Sequence, residues 1–234
     1  MTVTALVSGG KDSIYSAYLA EAQGWPVDEL VTVVPEEPEA MMFHTPNLDL
    51  VALQARAWGK SHRAVAVRGR GEGSELAALR EAVDGATGPV VAGAIQSSYQ
   101  WARILHVADA AHRRVYAPLW RVAPARVVRE EVAAGLDIRL VHLAAEPLTP
   151  DLLGRRLDLP MIEEIERRSR SVRAVNVAGE GGEFETLVVD APFFSERLEP
   201  EVVDRVVTGA TASLRIERAR LVPKPSGPVR RGPA

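Results

Sequence analysis

Short apolar runs alternate with amphipathic segments over the first half of the chain. The apolar and β-branched runs predict five strands, at residues 2–7, 30–34, 62–67, 89–93 and 115–118. Between them, apolar positions three and four residues apart predict helices at residues 12–23, 47–58, 73–83 and 97–112, the second capped by Asn47, with residues 35–46 as a loop. Strands that alternate with helices of this length predict an α/β fold with a doubly wound, five-stranded parallel sheet.

The alternation loosens after residue 118, which favours a second, smaller α+β region. There the pattern predicts helices at residues 125–134 and 161–171, and strands at residues 138–143, 174–177, 186–190 and 214–220. We therefore expect a first domain over residues 1–122, an α+β region over residues 123–222 and a tail over residues 223–234. The tail is rich in Pro, Gly and Arg, a composition typical of disorder.

Composition narrows the classes of function. The chain has 234 residues, 47% apolar and 25% charged, which is enough apolar material for a sizeable core. Its net charge of −3 gives no general basic surface, so direct nucleic-acid binding is not expected. No apolar run approaches the ~20 residues that span a bilayer, and the first residues lack a signal-peptide pattern, so we expect a cytoplasmic protein without a membrane partner. The absence of cysteine excludes disulfides, thiolate metal sites and cysteine nucleophiles.

The segment "SGGKDS", residues 8–13, lies between the first predicted strand and the first predicted helix. It is not a Walker A motif, because Ala5 stands where the first glycine of that motif would be. Ligands of open parallel sheets bind beyond the carboxyl ends of the strands, where glycines allow close backbone approach and helix N-termini favour anions. The position therefore favours a phosphate-binding loop, with Ser8 and Ser13 as hydroxyl donors and Lys11 as a further charge. The alternative is a tight turn with Asp12 or Ser13 as the helix cap.

Two other segments carry candidate chemistry. If the strand order is 3-2-1-4-5, the small residues Gly93 and Ala94 after the fourth strand line the same crevice; the alternative is a plain turn capped by Ser97. In "GEGGEFETLVVDAPFF", residues 179–194, we expect positive φ angles at Gly181 and Gly182. Glu183 and Glu185 would share one strand face and could gather Mg²⁺ or ammonium. A solvated hairpin tip is the alternative for this segment.

Together these segments resemble the diphthine–ammonia ligases, a family within the PP-loop ATP pyrophosphatases. "SGGKDS" resembles the PP-loop signature, "GAIQSSYQ" and "APLW" resemble family turns, "MMFHTPN" resembles a family loop, and "GEGGEFETLVVDAPFF" resembles the C-terminal signature. The resemblance extends from Val3 to about Phe194. It departs from the family at Ser98, where an acidic residue is common, and at Ala178, where a cysteine is common.

The resemblance implies an adenine nucleotide alpha hydrolase-like, Rossmann-like fold, with an ATP-binding domain at residues 1–122 and a substrate-binding region at residues 123–222. It also implies an AMP-forming carboxylate–ammonia ligase that amidates diphthine on elongation factor 2 through an acyl-adenylate. ATP and Mg²⁺ would be the cofactors, and ammonium and the elongation factor the partners; a homo-oligomer is left open. The missing cysteines agree with free ammonia, because PP-loop thiolases and cysteine-dependent glutaminase domains both need a thiol.

The family's site residues transfer to this chain as expectations. Catalysis is assigned to Asp12, Glu183 and Glu185, and the metal ligands are left open. ATP binding is assigned to Ser8, Gly9, Gly10, Lys11, Asp12, Ser13, Gly93 and Ala94. Substrate binding is assigned to His44, Thr45, Ser97, Tyr99, Gln100, Glu180, Gly181, Gly182, Glu183 and Thr186. Trp101, Arg103, Trp120 and Arg121 could form a surface for the protein substrate, although Trp120 fits the core better.

Two alternative functions keep the same ATP site. One is a PP-loop ligase that forms an amide on another small carboxylate. The other is an adenine-nucleotide sensor that binds without turnover. They differ from the first interpretation in the substrate accepted and in whether pyrophosphate is released.

Overall fold

The computed structural model describes residues 1–35, 47–171 and 175–224. Its first half is a five-stranded parallel sheet, which confirms the doubly wound prediction. The strand order is β3-β2-β1-β4-β5, the condition for placing Gly93 and Ala94 at the crevice. The strands are β1 (Val3–Leu6), β2 (Val27–Val34), β3 (Ser61–Ala66), β4 (Val90–Val91) and β5 (Val115–Tyr116). The helices are α1 (Lys11–Ala22), α2 (Val51–Trp58), α3 (Glu72–Asp84) and α4 (Ser98–Ala110), with a 3₁₀ turn at Leu48–Leu50 before α2.

The second half is the expected α+β region, built on an antiparallel sheet in the order β7-β6-β9-β8. Its elements are α5 (Pro124–Ala133), β6 (Asp137–Leu143), a 3₁₀ turn at Pro150–Leu152, α6 (Leu159–Ser171), β7 (Phe184–Asp190), β8 (Glu196–Thr208) and β9 (Thr211–Pro223). Among the described residues, no helix combines the length and the hydropathy that crossing a bilayer requires.

Three local predictions in these elements are wrong. Strand β8 was missed because it is an edge strand, largely exposed, with charges and Pro200 in place of an apolar alternation. Residues 175–177 do not form the predicted strand. Asn47 does not cap a helix with its side chain; it has a left-handed backbone (φ 66°) and binds strand β9 instead.

One apolar core runs through both halves of the molecule. It contains Ile14 of α1, Leu30 of β2, Leu140 of β6, Val188 of β7 and Phe194 after β7. Helix α1 packs on β1 and β2 and also on β7, which explains why it lacks a simple apolar stripe. The sheet order reverses between β1 and β4, so a crevice opens at their carboxyl ends, on the side that β7 approaches.

Candidate active site

A cavity of about 250 Å³ lies at the carboxyl ends of β1 and β4. Its polar lining comes from three separate segments: Ser8, Gly10, Lys11, Asp12 and Ser13; Gly93, Ala94 and Gln100; and Glu180, Gly182, Glu185 and Thr186. Apolar side chains line another part of it, among them Leu6, Val31, Val33, Leu79 and Ile104. The fold thus brings together the three motifs that the sequence singled out, across nearly 180 residues of chain.

The SGGKDS loop is a turn that leads directly into α1. Gly9 has a φ of 81°, a left-handed conformation that glycine adopts without strain, and Gly10 is the N-cap residue of α1. The Ser13 hydroxyl accepts from the Ser8 N–H and donates to the Gly10 carbonyl, both at 3.1 Å. Neither Asp12 nor Ser13 is the helix cap, so the capping alternative is wrong. The Ser13 hydroxyl holds the loop closed instead.

Strand β4 ends against the first turn of α1. A Cβ on Gly93 would lie 2.8 Å from the Cα and the backbone nitrogen of Ser13, a distance that real Cβ atoms do not reach. Only glycine allows this approach, so Gly93 sets how closely the turn after β4 meets the SGGKDS loop.

Strand β7 closes the other side of the loop. The Thr186 hydroxyl accepts from the Lys11 N–H at 3.2 Å, and the Val188 N–H donates to the Gly9 carbonyl at 3.0 Å. The buried amide of Gln54, on α2, donates to the carbonyls of both Gly9 (2.9 Å) and Val188 (2.7 Å). The loop therefore depends on the second sheet for its conformation.

The Lys11 side chain is held beneath the loop. It is 2% exposed, and its ammonium donates to both carboxylate oxygens of Asp12, at 2.7 and 2.8 Å, and to the Ala178 carbonyl, at 2.6 Å. Burial by itself would lower the pKa of Lys11, but the charge of the Asp12 carboxylate and its hydrogen bonds to the ammonium act the other way, and the pKa is raised. Lys11 thus ties the loop to the segment before Gly179, and its assignment to a phosphate stays a prediction.

The glycine-rich segment after residue 178 presents Glu180 and Glu185 to the cavity. Burial raises the pKa of Glu180 above its usual range, although its carboxylate accepts from the Gln96 N–H at 2.8 Å. That hydrogen bond joins this segment to the turn after β4. Glu180 is therefore a carboxylate with enhanced basicity at the centre of the three motifs.

Two predictions about this segment need correction. Glu183 precedes β7 and does not share a strand face with Glu185; its carboxylate accepts from the Asn176 N–H (3.0 Å) and the Gly181 N–H (2.8 Å), so it closes its own loop. Positive φ angles occur at Gly179 and Gly182, both 76°, and not at Gly181. Glu183 and Gly181 lie outside the residues that line the cavity.

The start of α4 contributes less to the cavity than expected. Ser97 is the N-cap of α4 and accepts from the Gln100 N–H at 3.3 Å, and the Tyr99 ring lies 3.2 Å from the Arg103 guanidinium. Ser97 and Tyr99 are outside the cavity lining, as is Gly9, whereas Gln100 is within it. His44 and Thr45 lie outside the described residues.

Trp101 and Trp120, two of the residues expected at a protein-binding surface, contact each other. Trp101 and Trp120 stack at a centroid distance of 4.8 Å. Both are half-buried, so Trp120 does not belong to the core, and the side chain of Arg121 is exposed. Arg103 pairs with Glu72 and is 19% exposed, which leaves it less available to a partner.

The lining fits a nucleoside triphosphate. The N-terminus of α1 and the Ser8 hydroxyl provide donors for phosphates, and the apolar part provides a surface for a base. The Ser13 hydroxyl, predicted as a second donor, gives its hydrogen to the Gly10 carbonyl. It does not form a metal centre by itself: among the described residues, no group of three His, Asp or Glu side chains is placed to hold a metal ion. A metal here would take most of its ligands from phosphates and water.

Two functional residues were missed from the sequence, Gln54 on α2 and Glu131 on α5. Both are fully buried. Each lies at helical spacing from apolar residues, Gln54 with Val51 and Trp58, and Glu131 with Val127 and Val128. A polar residue on an apolar helix face is the signal that could have identified them.

Comparison with known proteins agrees with the geometry. Residues 1–112 match the family model of the diphthamide synthase N-terminal domain, and residues 123–222 match that of the C-terminal domain. A solved structure described as a predicted subunit of tRNA methyltransferase from Methanocaldococcus jannaschii covers 82% of this chain and 98% of its own. Its TM-score of 0.44 and identity of 14% are too low to carry an argument.

Curated relatives extend over nearly the whole chain. The diphthine–ammonia ligase of Mus musculus is 30% identical, covering 97% of this chain and 94% of its own. That of Rattus norvegicus is 29% identical, covering 94% and 91%, and that of Homo sapiens is 29% identical, covering 91% and 87%. Since both family models match in order and these relatives align from end to end, the chain belongs to the diphthamide synthase family.

Proposed function

We propose that this protein is an ATP-dependent ligase that converts the carboxylate of diphthine to an amide with ammonia, releasing AMP and pyrophosphate. The observation that carries the proposal is the single cavity in which the SGGKDS loop, the turn after β4 and the segment after Gly179 meet. The relatives' names support joining ammonia to diphthine, and the groups that line the cavity are compatible with an ATP-dependent route.

ATP would bind with its phosphates at the N-terminus of α1 and its adenine against the apolar lining. The backbone of Gly10, the Ser8 hydroxyl and the partial positive charge of the helix would hold the phosphates, and Ser13 would keep the loop in shape. Mg²⁺ would arrive with the nucleotide and reduce the negative charge on the departing pyrophosphate. Asp12, bound to Lys11, keeps the first turn of α1 in place.

The chemistry proceeds in two displacements. A carboxylate oxygen of diphthine attacks the α-phosphorus of ATP, the bond to the bridging oxygen breaks, and pyrophosphate leaves. The nitrogen of ammonia then attacks the carbonyl carbon of the acyl-adenylate, and the carbon–oxygen bond to AMP breaks. Ammonium loses one proton before the attack and the adduct loses a second, so the site needs a proton acceptor. Glu180 is suited to this, because burial raises its pKa and it lines the cavity; Glu185 is the second candidate.

Diphthine is a modified histidine of elongation factor 2, so the substrate is a folded protein. We propose that the exposed Arg121, beside the Trp101–Trp120 stack, belongs to the docking surface, since stacked aromatic and arginine side chains are frequent anchors of interfaces. The reaction places the protein in the cytoplasm with its substrate. Arg121→Ala should weaken binding of the factor and leave ATP binding unchanged.

The test measures AMP and pyrophosphate release from ATP and Mg²⁺, with and without ammonium and diphthine-bearing elongation factor 2. Incorporation of ¹⁵N from labelled ammonium into the factor is followed by mass spectrometry. Asp12→Ala removes the carboxylate beside Lys11, and Asp49→Ala, an exposed carboxylate near α2, is the matched control.

We expect ¹⁵N incorporation that needs ATP, fails in Asp12→Ala and persists in Asp49→Ala. ATP binding without pyrophosphate under any condition would favour a nucleotide sensor. Pyrophosphate release with a small carboxylate, but not with the factor, would favour another amide ligase. Formation of ADP and phosphate would contradict both ligase assignments.

A further inference from the structure

Helix α5, in the second half of the chain, buries a carboxyl group beneath the nucleotide loop. Glu131 has no exposed surface and shares its helix face with Val127 and Val128. A carboxyl group at such a position is costly unless it is neutral or well paired. Glu131 lies outside the cavity lining, so it does not contact a ligand there.

The surroundings of Glu131 offer it an unusual partner. Among the described residues, no N–H or hydroxyl group donates to either of its carboxyl oxygens. Helix α5 packs against α1, and there the Glu131 side chain meets another carboxyl group, that of Asp12 in the first turn of α1. The titratable groups that face it are Lys11, Asp12 and Tyr15 on α1 and Glu180 on the glycine-rich segment.

Two carboxyl groups can share a hydrogen bond only if one of them carries a proton. Both oxygens of Asp12 accept from the Lys11 ammonium, at 2.7 and 2.8 Å, so Asp12 holds the negative charge. The proton therefore resides on Glu131. Burial raises the pKa of Glu131 well above its usual range, and the negative charge of Asp12 acts in the same direction.

We propose that Glu131 is a positioning residue of the nucleotide loop: its carboxylic acid donates a hydrogen bond to Asp12 and fixes the Asp12 carboxylate against Lys11. The proposal rests on the proposed function only in taking this loop as the ATP site. It gives the second region a direct part in shaping the loop, alongside Thr186 and Gln54. Deprotonation of Glu131 would place two negative carboxylates side by side and open the contact.

The experiment compares Glu131→Gln with Glu131→Ala, because a glutamine amide keeps the shape of the acid and can donate to Asp12, whereas alanine cannot. Glu130→Gln, on the exposed side of α5, is the matched control. Equilibrium binding of a non-hydrolysable ATP analogue is measured across pH. We expect wild-type affinity in Glu131→Gln and Glu130→Gln, and a loss of roughly 10- to 100-fold in Glu131→Ala, as for a lost hydrogen bond to a charged group.

The pH profile separates positioning from packing. Wild-type affinity should fall as the pH rises through the raised pKa of Glu131, and Glu131→Gln should not show this fall. Infrared spectroscopy of the free protein at neutral pH should show the carbonyl stretch of a protonated carboxylic acid, and Glu131→Gln should lack it. The infrared measurement tests whether Glu131 carries a proton even if Glu131→Ala does not fold.

Three results would overturn the inference. They are an affinity of Glu131→Gln as low as that of Glu131→Ala, an identical alkaline fall in wild type and Glu131→Gln, and an infrared difference spectrum without the acid band. A wild-type protein that binds no ATP analogue would count against the proposed function instead, and the infrared difference would still test the hydrogen bond between Glu131 and Asp12.

Discussion

Three acidic residues near the cavity have different electrostatic environments, and these separate their roles. Asp12 forms an ion pair with the Lys11 ammonium, Glu131 is buried against Asp12, and Glu180 lies on the cavity wall with a pKa raised by burial. When neighbouring carboxyl groups have different environments, their pKa values differ. One site can then provide both a fixed charge and a proton acceptor. Of the three, Glu180 has both the basicity and the access to take a proton from ammonium.

Glu180→Gln should therefore impair the ammonia step. The amide cannot accept the proton, so we expect ¹⁵N amide formation to slow by about 10²- to 10⁴-fold, the usual contribution of a general base. Because the carboxylate form is the active one, wild-type activity falls as the pH drops through the raised pKa of Glu180, and the variant should lose that acid limb. Steady-state rates across pH measure both effects.

The control is Glu163→Gln on the exposed face of α6, which should behave as wild type. An unchanged ammonium dependence and an unchanged acid limb in Glu180→Gln would remove Glu180 from the mechanism. Glu185→Gln would then be tested in the same assay, since Glu185 also lines the cavity.

Gly93 gives a second prediction at this scale. Alanine there places a Cβ 2.8 Å from the Ser13 backbone, which cannot move aside as a flexible side chain would. We expect Gly93→Ala to lose about 1–3 kcal/mol of unfolding free energy, as overpacked sites do, and to bind ATP weakly. Urea denaturation and a nucleotide-binding titration measure the two effects.

Gly73→Ala is its control. Gly73 lies in α3, and a Cβ there meets no atom within 4 Å, so alanine should be neutral or stabilise the helix by roughly 0.5–1 kcal/mol. Equal stability of the two alanine variants would show that the close approach of β4 to α1 is not required.

At the scale of elements, periodicity predicted most of what positions the site. The alternation of strands and helices predicted β1, α1 and β4. The edge at which the SGGKDS loop meets Gly93 followed only with the strand order 3-2-1-4-5 as a condition, and the sheet has this order. Edge strand β8 was not predicted, because its largely exposed positions show no alternation of apolar and polar residues. The GEGGE segment was identified by its composition, but its geometry was not, since Glu183 turns back to its own loop.

What the sequence could not supply is the set of contacts between distant elements. The Lys11 ammonium meets the Ala178 carbonyl across 167 positions, and the Gln54 amide meets Val188 across 134. Periodicity describes which face of a helix is buried, not which carbonyl that face will meet. The apolar positions around Gln54 and Glu131 therefore predicted their helices correctly, but they did not predict which groups these two side chains contact.

Asn47 shows how one such contact joins two elements, and it yields a prediction. It is buried before α2, its amide donates to the Leu214 carbonyl at 3.0 Å, and its side-chain oxygen accepts from the Ile216 N–H at 2.7 Å. Asn47→Gly keeps the left-handed backbone and removes both bonds, so we expect a loss of about 1–3 kcal/mol in unfolding free energy. Chemical denaturation measures this loss.

Asn47→Asp is the informative partner variant. Its carboxylate still accepts from Ile216 but cannot donate to Leu214, which leaves one of the two bonds. A glycine variant as stable as wild type would show that α2 is held against β9 by apolar packing alone.

At the scale of the whole molecule, the regions that match the N-terminal and C-terminal domains of the family share one apolar core and one cavity. Trp58 on α2 packs against Phe193 at a centroid distance of 4.3 Å, and the Ser195 N–H donates to the Ala57 carbonyl. The loop that would bind ATP belongs to the first half, but Thr186 and Val188 of the second half hold it. The nucleotide loop should therefore form only when both sheets are folded.

This dependence predicts a single cooperative unfolding transition. All four tryptophans precede residue 123, but Trp58 packs against Phe193 of the second half. In a Trp58→Phe background, fluorescence of Trp25, Trp101 and Trp120 reports the first half, whereas far-ultraviolet circular dichroism reports both sheets. If the sheets depend on each other, the two signals should follow one superimposable curve in urea, the mark of two-state behaviour. If the halves were independent, circular dichroism would show a second transition that fluorescence does not follow. A chain ending at residue 122 provides the complement: without β7 to support Gly9 and Lys11, it should fail to bind an ATP analogue even where its parallel sheet is retained.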